Sequence, residues 1–330
     1  MAFISISREN FFYNLDKIAK QAGSKDKIAL VLKDNAYGHG IMEMAGLAKE
    51  YGITKAVVQT NAEAMLVENC FEYVLVLADC PSEVSQKMRY TINDVSAIKK
   101  FPKGTLVELK VNTGMNRNGI EMGEFESALE TIEVQGLKLE AIFTHHACAD
   151  ELDGIYELQK KRFEEIKLKA PKNLRFHSCN SAALFRENNF DEDMARVGIV
   201  AYGCLEMPKE LNQVVLKPVL SLYAKKISSR VLKAGESVGY GATFRAKGEM
   251  VVSNYDFGYG DGFLRTHSNV YKTPEGIKIA GRISMDNSSF LTNKEELLIF
   301  DDASEVARET NTINYEVLTS LKATLKRRVV

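Results

Sequence analysis

Over the first two thirds of the chain, short apolar runs alternate with longer amphipathic stretches. Apolar runs of about four to eight residues are typical of buried strands, whereas longer periodic stretches are typical of helices. Helical patterns such as Ile41–Tyr51 and residues 82–88 separate the runs, and this alternation predicts parallel βαβ units. Eight units indicate an α/β protein built on a (β/α)8 barrel. The predicted strands are residues 27–33, 55–60, 72–78, 90–92, 105–111, 137–144, 174–177 and 194–200.

The pattern changes near residue 215. Beyond it, residues 219–231, 250–256, 276–283 and 288–300 look like strands separated by glycine-containing turns, and residues 316–325 form a helical pattern. We therefore expect a barrel domain over residues 1–215 and a mainly β domain over residues 216–330. The basic run Lys326, Arg327 and Arg328 near the end of the chain is expected to be solvated.

Composition excludes several classes of protein. Lys and Arg total 43 against 44 Asp and Glu, so the basic excess of a nucleic-acid binder is missing. No apolar run approaches the ~20 residues of a membrane span, and the N-terminal residues do not resemble a secretory signal. Five cysteines without a Cys-x-x-Cys pair favour reduced thiols in the cytoplasm and no metal site.

Polar residues end several of the predicted barrel strands. Active-site groups of such barrels project from the carboxyl ends of the strands and the loops that follow. Five different units should therefore bring their polar residues to one face. These residues are Lys33, Lys110 with Arg117 in the next loop, His145, His177 with Asn180 and Ser181, and Arg196.

Two of these positions suggest a particular chemistry. Lys33 directly follows an apolar run, and a neutral lysine amine can form a Schiff base with a carbonyl. Ser181 opens a predicted helix, where free N–H groups favour an anion, and Gly198 permits close backbone approach. A Schiff-base lysine beside a phosphate site suggests pyridoxal phosphate (PLP). The plainer interpretation is a lysine that extends to solvent and a serine that only caps a helix.

Nine sequence blocks between residues 33 and 317 resemble bacterial alanine racemase, in the order found in that family. Any one block is weakly specific, but nine in order across both predicted domains are highly specific. The blocks are KDNAYGHG (33–40), VNTGMNR (111–117), TH (144–145), NS (180–181), RVG (196–198), VGYGAT (238–243), GYGDG (258–262), GRISMD (281–286) and TINYEV (312–317).

The resemblance implies a PLP-dependent isomerase of fold type III that acts as a head-to-tail homodimer with shared active sites. Lys33 corresponds to the PLP lysine, and Tyr240 to a second catalytic base supplied by the partner subunit. Arg196 corresponds to the partner of the pyridine nitrogen. The remaining cofactor positions are Tyr37, His145, Asn180, Ser181, Gly198, Ile199 and Tyr315, and the substrate positions are Arg117, Met285 and Tyr259.

Lys110 matches a position that is often carbamylated in this family, and the unmodified lysine is the alternative. Asn112 stands where the family usually has Asp, which alters the charge around Arg117. The expected activity is interconversion of L-alanine and D-alanine to supply peptidoglycan. A racemase of broader amino-acid range and a non-catalytic PLP-binding carrier are the alternatives.

Overall fold

The computed structural model describes residues 1–81 and 83–330, and its first sheet is the expected barrel. Eight parallel strands follow one another around it in chain order, and the last pairs with the first. Two backbone hydrogen bonds close the remaining seam, from Asp193 N to Phe176 O (3.2 Å) and from Arg196 N to Cys179 O (2.9 Å). The strands are Ile28–Val31, Lys55–Val58, Tyr73–Val76, Met88–Ile92, Leu106–Asn112, Lys138–Phe143, Arg175–His177 and Ala195–Val197.

Alternation along the strands separates an outer apolar layer from the barrel interior. In Leu106–Asn112, Val107, Leu109 and Val111 join the large core beneath the helices, so Glu108 and Lys110 point inward. A small apolar cluster fills part of the interior, and buried charged groups occupy the rest. The apolar cluster consists of Ala29, Val31, Val57, Tyr73, Leu75 and Met194.

Helices cover the barrel, and local side-chain bonds begin and end several of them. Ser7 accepts the N–H of Asn10 at the start of the first helix, and Gly23 ends it with left-handed angles. Thr60 and Glu63 form a capping box at the start of the helix Asn61–Val67. The helices of this domain are Arg8–Ala22, Ile41–Tyr51, Asn61–Val67, Phe125–Gln135, Ile155–Lys169 and Ser181–Arg186.

The second domain is built on a separate, largely antiparallel sheet. Its long strand Leu220–Leu232 pairs with Met250–Tyr255, Glu296–Phe300 and Phe3–Ile6. Phe3–Ile6 comes from the start of the chain, so the two ends of the polypeptide meet in this sheet. The other elements are the strands Ile120–Glu121 (in the barrel domain), Ser237–Val238, Phe244–Arg245, Ser288–Phe290 and Lys326–Val329 and the helices Ala303–Thr310 and Asn314–Thr319.

Several local predictions were wrong. Residues 83–87 form a loop, in which Ser85 Oγ accepts the N–H groups of Lys87 and Met88; such bonds compete with a helix. Ser82 lies outside the described residues. Residues 276–283 make only isolated bridges. The predicted helix over 316–325 is a shorter helix, Asn314–Thr319, and the helix Ala303–Thr310 was not predicted.

The basic end of the chain is also not simply solvated. Lys326–Val329 is a strand that pairs in parallel with Phe3–Ile6. Arg327 is half-buried in it and donates to several backbone carbonyls. No helix among the described residues is long and apolar enough to cross a membrane.

Candidate active site

Arg196 is the centre of a hydrogen-bonded cluster at the carboxyl end of the barrel. Its guanidinium is buried and donates from Nη1 to His177 Nδ1 (2.6 Å) and from Nη2 to Thr144 O (2.7 Å) and His145 Nδ1 (3.3 Å). Further bonds to the carbonyls of His177 and Ser178 use the same two nitrogens. Within the described residues, the Nε–H is therefore the donor left for another group in the barrel mouth.

A buried carboxylate continues this cluster into the barrel. Because His177 Nδ1 accepts from Arg196, its Nε2–H donates to Glu108 Oε2, at 2.8 Å. Glu108 also accepts from Tyr73 (2.7 Å) and Arg175 (3.2 Å). Burial alone would raise the pKa of Glu108, but His177 and Arg175 lower it below its ordinary value. Arg196 is thus held by a neutral histidine backed by an ionised carboxylate.

The sequence-based prediction did not include Glu108. An acidic residue inside an apolar strand is the available signal, because buried carboxylates need specific partners. Its partners come from strands far apart in the chain, so the sequence does not identify them.

His145 lies on the other side of Arg196. Its pKa is well below the ordinary value, first because of burial and then because of the charge of Arg196. The ring is therefore neutral near pH 7. Because its Nδ1 accepts from Arg196, its Nε2 carries the proton and is a donor. The neighbouring His146 points elsewhere and contacts Ser178 Oγ at 2.9 Å.

Lys33 begins a single left-handed turn that follows the first barrel strand. Asp34, Asn35, Ala36 and Tyr37 all have φ between 51° and 55°. Left-handed angles cost about 1–2 kcal/mol per L-residue, so other contacts must hold the turn. Glu63 Oε1 accepts the N–H of Asp34 (2.7 Å), and Asn35 Oδ1 accepts the N–H of Ile41 (2.9 Å). The Lys33 ammonium lies 3.3 Å from Asp34 Oδ2.

The predicted anion-binding positions Ser181 and Gly198 lie beside this turn, because the strand that precedes Gly198, Ala195–Val197, pairs with Ile28–Val31. Ser181 opens the helix Ser181–Arg186, but Asn180 is its N-cap and accepts the N–H of Ala183 at 2.9 Å. Ser181 Oγ is instead 3.0 Å from Gly198 N, which donates to it. A Cβ on Gly198 would lie 2.6 Å from Tyr37 Oη, so a larger residue there would displace the Tyr37 ring.

Two tyrosines border the phosphate cradle, by which we mean the predicted anion site around Ser181 and Gly198. The rings of Tyr37 and Tyr315 are 5.8 Å apart, and Tyr315 comes from the second domain. Burial raises the pKa of Tyr37 and of Tyr315, so both phenols stay protonated and can donate to an anion. Ile199 is buried beside Gly198.

Lys110 is a buried amine surrounded by cations. Burial lowers its pKa to about 8, with contributions from Arg196 and Arg117. Arg117 itself is exposed on the next loop. Asn112 shapes this loop, since its Oδ1 accepts the N–H groups of Gly114 (3.1 Å) and Asn116 (3.0 Å).

The remaining predicted residues lie on the second domain and are not covered by their own chain. Tyr240, Met285 and Tyr259 are 68%, 57% and 43% exposed. Tyr259 and Met285 belong to adjoining loops, joined by bonds such as Gly260 N to Met285 O (2.7 Å). Tyr240 lines an open cavity of about 560 Å³ whose described lining residues all fall between 228 and 289. One chain therefore does not bring Tyr240 into the barrel mouth.

The barrel mouth fits a planar, phosphorylated pyridine with a carbonyl group. The cradle of Ser181, Gly198 and the two tyrosines suits a phosphate, and the free Nε–H of Arg196 suits a ring nitrogen. Lys33, at the end of the neighbouring strand, supplies the amine for the carbonyl. The residues present thus fit PLP.

The chain is similar over its whole length to alanine racemases. Residues 6–206 match the family model "Alanine racemase, N-terminal domain", and residues 219–329 match "Alanine racemase, C-terminal domain". An alanine racemase of a Nitratiruptor species is 42% identical, with 99% of each chain covered. That of Campylobacter curvus is 40% identical, with 100% of each chain covered.

Solved structures agree with the sequence comparison. The alanine racemase of Clostridium difficile 630 superposes with a TM-score of 0.91 at 25% identity, covering 100% of this chain and 95% of that one. The alanine racemase of Bacillus anthracis with bound L-Ala-P gives a TM-score of 0.88 at 26% identity, with the same coverage.

Proposed function

The chain belongs to the alanine racemase family, and from that membership we propose that Lys33 and Tyr240 are its two proton-transfer groups. The protein is a PLP-dependent isomerase that interconverts L-alanine and D-alanine. One observation carries the residue assignment. A buried Arg196, flanked by His145 and His177, occupies the same barrel mouth as Lys33.

Racemisation requires proton transfer on both faces of the substrate α-carbon. When bound, PLP withdraws electrons from that carbon and makes its proton acidic. Lys33 Nζ is the base on one face, and the Tyr240 oxygen of the partner subunit is the base on the other. One group removes the proton, and the other returns a proton from the opposite side, which inverts the configuration.

His145 prepares the tyrosine for this task. Arg196 fixes His145 as the tautomer with Nε2–H, and we propose that this N–H donates to the phenol oxygen of Tyr240 of the partner subunit. A hydrogen bond to the charged form of an acid favours ionisation. Arg196, His145 and Tyr240 of the partner subunit would then form one chain of hydrogen bonds across the two subunits.

Arg196 also determines which reaction is favoured. An arginine is effectively always protonated, so it donates a hydrogen bond to the ring nitrogen without giving up a proton. The buried Glu108–His177 pair keeps the guanidinium in place. A hydrogen-bonded ring nitrogen is a weaker electron sink than a protonated one, which favours return of the proton to the α-carbon.

The substrate carboxylate is bound by Arg117 and by the backbone of Met285, with Tyr259 and Tyr315 narrowing the entrance. Lys110 is the candidate for carbamylation, because a pKa of about 8 leaves part of the amine neutral. A neutral amine adds to CO2 with loss of one proton, and the resulting carbamate would pair with Arg117. Carbon-13 NMR after addition of labelled bicarbonate reports this carbamate.

The assembly is a head-to-tail homodimer, in which the barrel of one subunit faces the second domain of the other. The exposure of Tyr240 and Met285 supports this arrangement. The five cysteines are unpaired, which supports a reducing cytoplasm. There the enzyme supplies D-alanine for peptidoglycan.

The first test combines a spectrum with an assay. We expect the purified protein to show the visible absorbance of lysine-bound PLP and to convert L-alanine to D-alanine, and we expect Lys33→Ala to lose both. Absorbance without D-alanine formation would favour a racemase of broader range or a carrier, which a panel of amino acids separates. A protein that does not bind added PLP would contradict the assignment.

A further inference from the structure

The C-terminal strand reaches the loop that follows Lys33. Lys326–Val329 pairs with Phe3–Ile6 in the second domain, but the side chain of Arg327 extends away from that sheet. Its Nη2 and Nε donate to Gly38 O, at 2.7 and 3.1 Å. Gly38 is the residue that ends the left-handed turn.

The same guanidinium also binds the segment that precedes its strand. Arg327 Nη1 donates to Leu325 O (2.7 Å) and Ala323 O (2.8 Å). Its aliphatic part packs on Gly40, where an added Cβ would lie 2.4 Å from Arg327 Cδ. The planar guanidinium therefore connects the end of the chain to the turn in one fixed geometry.

A turn with four successive left-handed L-residues persists only where its surroundings determine it. Glu63 holds its start through the N–H of Asp34, and Arg327 holds its end through Gly38. Tyr37, which borders the phosphate cradle, lies between these contacts, and Lys33 immediately precedes the first of them. Loss of one contact should shift the turn toward shapes in which these two groups no longer face one ligand.

We propose that Arg327 is a positioning residue, which holds the Lys33–Tyr37 turn in the shape that binds the cofactor. This inference rests on the proposed role of Lys33. It extends the site to the strand Lys326–Val329.

The test compares Arg327→Ala with Arg328→Ala. Arg328 is the neighbour on the same strand, where it lies over the Phe3 ring at 4.1 Å, so its loss perturbs the strand without removing a contact to Gly38. Holoenzymes are stripped of PLP, and the dissociation constant is measured by titration of the visible absorbance. Hydrogen exchange of the peptide containing residues 34–38 is followed in parallel.

We expect Arg327→Ala to weaken PLP binding about tenfold, because bonds from a charged donor are lost, and to speed exchange over residues 34–38. Arg328→Ala should change neither. If Arg327→Ala does not fold, Arg327→Lys is used instead. It keeps the charge and the aliphatic part of the side chain but cannot donate from two nitrogens at once, so a smaller weakening of PLP binding is expected.

Unchanged PLP affinity in the folded Arg327 variants would overturn the inference. Equal weakening by Arg328→Ala would also overturn it, since folding of the strand would then explain both. A wild-type protein without lysine-bound PLP would instead contradict the proposed function.

Discussion

Every one of the five histidines has its pKa lowered by burial. The pKa of His39 falls to about 4 and that of His146 to about 3, while His145, His177 and His267 shift in the same direction. At the active site this keeps His145 and His177 neutral, so each has one ring nitrogen that accepts from Arg196 and one that donates. The hydrogen bonds between Arg196 and these two histidines therefore persist unchanged near pH 7.

The same shifts predict how stability depends on pH. In the unfolded chain each histidine is protonated near pH 6.5. In the folded protein, His39 is protonated only near pH 4 and His146 only near pH 3. The unfolded state binds more protons in this window, so the free energy of unfolding falls as the pH falls. Each histidine contributes about 1.4 kcal/mol per pH unit.

Urea unfolding between pH 7 and pH 4.5 checks this dependence. His267 is stacked on Phe263 at 4.7 Å, and its pKa is lowered by burial. His267→Phe should therefore reduce the slope by up to about 1.4 kcal/mol per pH unit. A wild-type stability that does not change over this range would show that the histidines are protonated in the fold.

At the scale of elements, the left-handed turn after Lys33 is the least ordinary feature. Its last residue, Gly38, has φ +76°, and a Cβ there would lie 2.0 Å from Leu318 O in the second domain. Neither the turn nor the helix Asn314–Thr319 can move away easily, since each is held by other contacts. The glycine thus allows the two domains to meet beside Lys33.

We expect Gly38→Ala to destabilise the protein by about 2–3 kcal/mol and to weaken PLP binding. Gly46 is the matched control, because it lies exposed within Ile41–Tyr51 with no atom near its missing Cβ. Gly46→Ala should stabilise by up to about 1 kcal/mol. Urea unfolding measures both, and equal effects of the two substitutions would show that the contact with Leu318 is unimportant.

The sequence predicted the barrel well, because its buried strands are continuous apolar runs with polar residues at their carboxyl ends. Even the weak run at residues 90–92 is a strand, Met88–Ile92. Features that depend on partners distant in the chain were not predictable. Glu108 is bound by His177, and Arg327 binds the carbonyl of Gly38. No local sequence pattern predicts either contact.

For the whole molecule, the division of the site between two domains has a clear consequence. Phe3–Ile6 and Lys326–Val329 bring both chain ends into the second domain, and Tyr315 and Arg327 tie that domain to its own barrel. Tyr240 nevertheless remains on an open cavity formed by its own domain alone. If Tyr240 is the second base, as proposed, each active site needs residues from two subunits.

Mixing two inactive variants tests this requirement most directly. If the site is shared, a heterodimer of Lys33→Ala and Tyr240→Phe subunits has one site with both substitutions and one with neither. After random subunit exchange we predict recovery of roughly a quarter of wild-type racemase activity. Differently tagged subunits verify the exchange. If exchange occurs and no activity returns, Lys33 and Tyr240 do not act together across the two subunits, and the proposed shared site is wrong.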